Sequence, residues 1–141
     1  MPPVVEDSGL AVDGWIAVIP FVLKTAYPDF HVVGDVTSVG TPKAGVFSEG
    51  QASVVTAEIA SPIRGRSEAA SFDGHGTCCL EFGLDIVARD DVTFLSGQAP
   101  EGGWMGRRGP SRAVATDNAA FGTDRIGRWF DRSRGPGPNP H

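Results

Sequence analysis

The chain has 141 residues and a formal net charge of -5, a length that suits one modest domain and a balance that argues against a nucleic-acid surface. Its 19 glycines and 11 prolines point to a small core with much irregular chain. No stretch approaches the ~18 apolar residues of a membrane span, and the first residues lack the basic and apolar regions of a signal peptide, so a cytoplasmic location is expected.

In chain order, Val4 to Gly9 reads as one helical turn stopped by glycine. Trp15 to Ile19, bounded by Gly14 and Pro20, reads as a short strand. Lys24 to Asp29 is a turn, with Tyr27 pushed away from helix by Pro28. Phe30 to Val33 reads as a second strand, apolar enough to be covered on both faces, ending at Gly34-Asp35. Val36 to Pro42 is a loop of small residues. Lys43 to Ala60 is the strongest helix, with Pro42 at its start, Pro62 closing it, and Ala44, Phe47, Ala52, Val55 and Ile59 near one face.

Arg64 to Ser71 is polar and loop-like. Cys78–Phe82, Asp85–Arg89 and Val92–Leu95 then read as three strands of an antiparallel meander, punctuated by Gly83 and Asp90-Asp91. Cys78 and Cys79 are adjacent and lack C-x-x-C spacing, so they read as two small apolar residues, one inward and one outward. Pro100 to Pro110 is Gly-rich and expected to be mobile. Ser111 is an N-cap for a helix from Ala113 to Phe130, whose apolar side is Phe121, Ile126, Trp129 and Phe130. Residues 132–141 form an expected disordered tail. Arg125, Arg128, Arg132 and Arg134 read as a solvated, mixed-charge face; a nucleic-acid site there lacks interleaved exposed aromatics.

The stretch from Tyr27 to Ile59 carries the chemistry. A strand ends in Gly34-Asp35, and a helix starts several residues later at Lys43. That places a carboxylate and a helix N-terminus at one rim of a sheet, where α/β proteins bind ligands. For a flavin, Gly34 lets the backbone pass close to the cofactor. Asp35 accepts a hydrogen bond from a ribityl hydroxyl. The N–H groups of Lys43, Ala44 and Gly45, with the helix dipole, face the pyrimidine edge and favour the anionic reduced ring. His31 reads as structural, and His75 as a solvent-exposed turn residue. Neither is a convincing general base.

These residues resemble a known pattern. Gly14-Trp15-Ile16, the turn from Pro20 to Pro28, Phe30–Val33, Gly34-Asp35, Pro42-Lys43-Ala44-Gly45-Val46-Phe47 and Gly76-Thr77-Cys78-Cys79-Leu80-Glu81-Phe82-Gly83 together look like the C-terminal third of the FAD-dependent pyridine nucleotide-disulfide oxidoreductases, closest to the sulfide:quinone oxidoreductase and type II NADH dehydrogenase branch. The resemblance spans about residues 3–131. It implies an α+β fold in which residues 1–62 are the end of a FAD-binding α/β domain and residues 72–131 a small β-meander with a terminal helix. It implies FAD as cofactor, Asp35 as ribityl ligand, Lys43 to Gly45 over the ring, and electron transfer from sulfide or NADH to a quinone-like acceptor.

Two departures qualify that expectation. The G-x-G-x-x-G turn that holds a dinucleotide is absent from the sequence, and the loop from Val36 to Thr41 is short. Met1 therefore reads as an internal start in a longer frame, and the chain as inactive until an N-terminal half is supplied. The alternative is a non-enzymatic remnant, or a module that dimerises through the meander and last helix. In it the Phe47 and Val55 face of the long helix would be left bare. By the resemblance, Trp129 and Phe130 fall where relatives touch a membrane or partner, so contact with the inner face of the membrane is expected.

Overall fold

A computed structural model describes residues 2–67, 70–94, 98–103 and 109–130. The expected tail, Leu95, and residues 104–108 of the Gly-rich stretch lie outside these. The fold is α+β, with two small sheets and a C-terminal helix. In order the elements are α1 (Pro3–Asp7), β1 (Ala11–Val12), β2 (Trp15–Ile16), α2 (Gly45–Ile63), β3 (His75–Gly83), β4 (Ile86–Thr93), β5 (Glu101–Gly103) and α3 (Arg112–Phe130). The chain divides into two compact units, residues 1–77 with 91–102, and residues 78–90 with 103–141.

In the first unit, α1 opens with a proline in its first turn, where a missing N–H costs nothing, and Gly9 at φ 72° turns the chain out of it. β1 and β2 form an antiparallel hairpin pairing Ala11 with Ile16 and Val12 with Trp15. Its two-residue loop is Asp13-Gly14, both at positive φ (51° and 83°), as a type I′ turn requires. The strand expected over Trp15–Ile19 is thus only two residues long. The Ile16 N–H donates to the Val36 carbonyl (2.8 Å) and the Ser38 N–H to the Ile16 carbonyl (3.1 Å), a single parallel bridge. Beyond it the chain turns at Pro20, where the Leu23 N–H donates to the Ile19 carbonyl (2.8 Å).

The doubly covered strand expected at Phe30–Val33 is replaced by one antiparallel bridge, Lys24 to His31, across the Tyr27–Asp29 turn. Phe30 and Val33 are exposed. A parallel strand needs ladder partners on both edges. Here the partner among the described residues is the short arm beside Lys24. The turn from Lys24 to Asp29 itself is as expected.

Helix α2 is displaced from its expected bounds by two to three residues. Ala44 is its N-cap, in extended conformation with no side-chain cap. Pro62 lies inside the last turn and does not end the helix. Termination comes from Gly65 at φ 65°: the Arg66 N–H reaches the Ser61 carbonyl (2.8 Å) and the Gly65 N–H the Pro62 carbonyl (3.0 Å), the Schellman pattern. Its buried residues are Phe47, Gln51 and Val54, whereas the expected Ala52 and Ile59 are exposed.

The core of this unit is Leu23, Val39, Phe47, Val54 and Phe72, joined by half-buried Val92 and Phe94. Phe47 meets Phe94 edge to face at 5.7 Å. Any Cβ on Gly76 would run into the Phe47 ring, so glycine is required there. The bare Phe47 face expected of a remnant is not found: Phe47 is 1% exposed and Val55 half-buried.

The sheet order is β3-β4-β5. The three expected strands after Thr77 are two, because β4 runs unbroken through Asp90-Asp91. The Asp91 carboxylate accepts a hydrogen bond from Thr77 Oγ1 (2.6 Å), which makes it a cross-strand partner instead of a breaker. The third strand, β5, lies inside the Gly-rich stretch expected to be mobile.

In the second unit α3 starts where expected, with the Val114 N–H bonded to Ser111 Oγ (3.3 Å), and it buries Val114 alone. Asn118 Nδ2 donates to Glu81 Oε1 (2.9 Å). Phe121, Ile126, Trp129 and Phe130 are exposed and cover no core among the described residues. Cys78 and Cys79 are both exposed, so neither is the inward residue that was expected.

The β3–β4 loop is Leu84-Asp85, at φ 52° and 57°, with Leu84 89% exposed. A leucine in the left-handed region costs about 1–2 kcal/mol and contributes no burial there. Replacing Leu84-Asp85 by Asn-Gly is expected to stabilise the hairpin by about 1 kcal/mol, read as a Tm increase of ~3 °C by circular dichroism.

Candidate functional site

Gly34 sits at φ 84°, a conformation that asks for glycine, and a Cβ there would meet Ser48 Oγ at 3.4 Å. Its N–H donates to Gln51 Oε1 (2.7 Å), and its carbonyl accepts from Thr37 N (3.2 Å) and Thr37 Oγ1 (3.0 Å). Gly34 is thus fastened to α2 by a buried carboxamide. The close approach it permits is to that helix.

Asp35 follows, exposed, on the rim of an open groove of about 560 Å³ lined by Pro2, Glu6, Asp13, Gly14, Trp15, Asp35, Val36 and Lys43. Two of the expected site residues, Asp35 and Lys43, therefore share one groove. The Lys43 ammonium lies 4.1 Å from the centre of the Trp15 ring and donates to the Thr37 carbonyl (3.0 Å). Such a cation–π contact at a partly exposed site is worth about 0.5–1 kcal/mol, and the hydrogen bond holds the side chain in that pose. Ala44 and Gly45 are the N-cap and first residue of α2. The Ala44 N–H is already used, donating to the Pro42 carbonyl (3.0 Å), which removes it from the expected set of free donors.

Gln51, Glu6 and Asp13 were not picked out by sequence reasoning, and Trp15 entered only through the Gly14-Trp15-Ile16 phrase, not as a site residue. Asp13-Gly14 is a hairpin signal in its own right, and the turn it makes leads into Trp15, whose ring lies under the Lys43 ammonium. For Gln51 there was no signal, since a glutamine inside a helix reads as surface.

The other titratable candidates are less organised. His31 is half-buried, with Nε2 enclosed and without a hydrogen-bond partner. It lines a second groove of about 640 Å³ beside Tyr27, Phe30 and the Lys24–Glu58 ion pair (2.6 Å). His75 is exposed, with Nδ1 3.4 Å from Thr93 Oγ1. Among the described residues no three His, Cys, Asp or Glu side chains are grouped to hold a metal ion, and no helix is long and apolar enough to cross a membrane.

Neither a family model nor a curated protein matches this chain.

Gln51 is the joint between the Gly34 turn and α2. Gln51→Leu keeps the volume but leaves the Gly34 N–H without its acceptor, an expected cost of about 1–3 kcal/mol. A urea titration followed by far-UV circular dichroism should show the midpoint falling. An unchanged midpoint would mean the hydrogen bond contributes nothing to the fold.

Proposed function

We propose that the chain is the flavin-facing, C-terminal part of a FAD-dependent oxidoreductase that carries electrons from sulfide or NADH to a quinone-like acceptor, and that it is inactive alone. The reading rests on one observation: Asp35 and Lys43, singled out by the order Gly-Asp, loop, Pro-Lys-Ala-Gly, line the same groove, with the Lys43 ammonium over the Trp15 ring. Three of the groove's lining residues suit the ribityl chain and ring of a flavin. Asp35 offers a charged acceptor for hydroxyls, Trp15 an aromatic face, and Lys43 a cation near developing negative charge. The flavin, when bound, supplies the two-electron chemistry. This chain's residues supply position and electrostatics. The partner in this reading is a separate N-terminal half carrying the dinucleotide turn. Quinone entry and contact with the inner face of the membrane belong to the assembled protein.

Purified chain titrated with FAD should quench Trp fluorescence saturably. Asp35→Ala should weaken binding about tenfold or more, as loss of a charged hydrogen bond implies. Saturation unaffected by Asp35→Ala would sink the site assignment.

A second reading, a non-enzymatic dimerisation module, is favoured by a different observation. Ile126, Trp129 and Phe130 are all exposed on α3, at spacings that place them on one side of the helix. If α3 pairs with a second copy, sedimentation should give the mass of a dimer, and Ile126→Glu with Trp129→Glu should return it to a monomer. A monomer at all concentrations rules this reading out.

A further inference from the structure

β3 pairs with β4 on one side, and on its other side no strand lies beside it among the described residues. Its half from Cys78 to Gly83 belongs to the second unit, with α3, and each residue of that half is exposed. An edge of this kind presents a row of backbone donors and acceptors whose complement is another extended strand. The usual guards against such pairing are missing: Cys78–Gly83 contains no lysine, arginine or proline, and its one charge, Glu81, is bonded to Asn118 of α3. Side chains alternate along the strand, so Cys79 and Glu81 share the face that α3 reaches, and Cys78, Leu80 and Phe82 share the other. On that second face Leu80 is 41% and Phe82 57% exposed. The backbone alternates in the same way. The two-residue loop Leu84-Asp85 makes Gly83 and Ile86 the closing pair of the hairpin. Counting back from it, Gly83, Glu81 and Cys79 turn their backbone groups to β4, and Phe82, Leu80 and Cys78 turn theirs outward. The outward backbone groups and the bare apolar side chains thus belong to the same three residues.

The geometry points to a second copy of this chain as the partner: two β3 edges pair antiparallel about a twofold axis at Leu80 and join two three-stranded sheets into one. Self-complementarity selects this register. With Leu80 opposite its counterpart, Cys78 meets Phe82 of the second copy, and one whole face of the joint is apolar. An axis at Glu81 would set like charges opposite each other, which is destabilising. An axis at Cys79 would bring Phe82 against Gly76, which is buried. A twofold contact needs one patch that complements itself, and residues 78–82 provide it. The contact is short, so association is reversible and depends on concentration. It uses a different surface from the exposed apolar side of α3, and it depends on neither functional reading above.

Sedimentation velocity on the full chain at several concentrations should show a monomer–dimer equilibrium. Leu80→Lys should raise the dimer dissociation constant about tenfold or more, because it removes the central leucine pair and sets two ammonium groups face to face. Leu80→Glu should do the same. An equal mixture of the two variants should recover the dimer, since the twofold register at Leu80 puts the lysine opposite the glutamate. Recovery also shows that both variants are folded. Ile126→Glu with Trp129→Glu should leave this dimer intact. A parent chain that is monomeric at every concentration overturns the inference and leaves the edge to a strand of another protein. A dimer that Leu80→Lys leaves unchanged overturns it as well, and if the α3 variant abolishes that dimer, the contact belongs to α3. Two Leu80 variants that stay monomeric when mixed, with circular dichroism matching the parent, also overturn it, because the pairing then does not centre on Leu80.

Discussion

One face of α2 holds the first unit together, and that face is not uniformly apolar. Phe47 and Val54 supply the hydrophobic contacts, while Gln51 lies between them almost fully enclosed. Burying a carboxamide without partners would cost several kcal/mol. The Gly34 N–H removes part of that cost by donating to Gln51 Oε1. In return, the polypeptide between the Lys24–His31 bridge and α2 is fixed at one point to the helix. The position of Asp35 follows from this pairing, since it is the next residue along the chain. So does the packing of Thr37 and Val39, which are buried although they lie in an irregular segment.

The same face sets the demands on distant residues. Phe47 reaches the sheet where Gly76 passes, and no side chain fits there. Phe94 closes against the Phe47 ring from β4's end. Gly74, at φ 75°, lies so close to the Phe94 backbone that a Cβ would collide with it. Two glycines and two aromatic rings thus form one constraint: the backbone comes in close on one side because a large ring fills the other. This explains how a chain so rich in glycine keeps a defined core.

Much of this was legible from residue order, and the failures have physical causes. The α+β class, the long central helix, the Ser111 cap, the short first helix and the turn at Tyr27-Pro28 could be read because each depends on local chemistry: caps, prolines and periodicity. The covered strand at Phe30–Val33 could not, because a run of apolar residues says that a segment would be buried if neighbours exist, and not whether they do. The face of α2 was misjudged for the opposite reason. Its apolar residues are spread around the helix, so a partner outside the helix, the Gly34 N–H, decided which side turned inward. Asp90-Asp91 looked like a break because aspartate is poor in strands, yet Thr77 supplied the hydrogen bond that keeps Asp91 in place. Asp35 and Lys43 were singled out by motif order, and they line one groove. Trp15, Glu6 and Asp13, which give their groove its aromatic and acidic character, come together through tertiary structure.

What remains exposed bears on what kind of object this is. Isolated apolar side chains on a surface are ordinary. Here the exposed ones include Trp15, Ile19, Phe21, Tyr27, Phe30 and Val33, within one irregular stretch of the first unit. Trp15, Phe21, Tyr27 and Phe30 each keep 41–56% of their surface exposed over this span, although each ring carries a large apolar area. Trp15 lines one groove, under the Lys43 ammonium, and Tyr27 and Phe30 line another, so these rings are held as walls of two separate grooves.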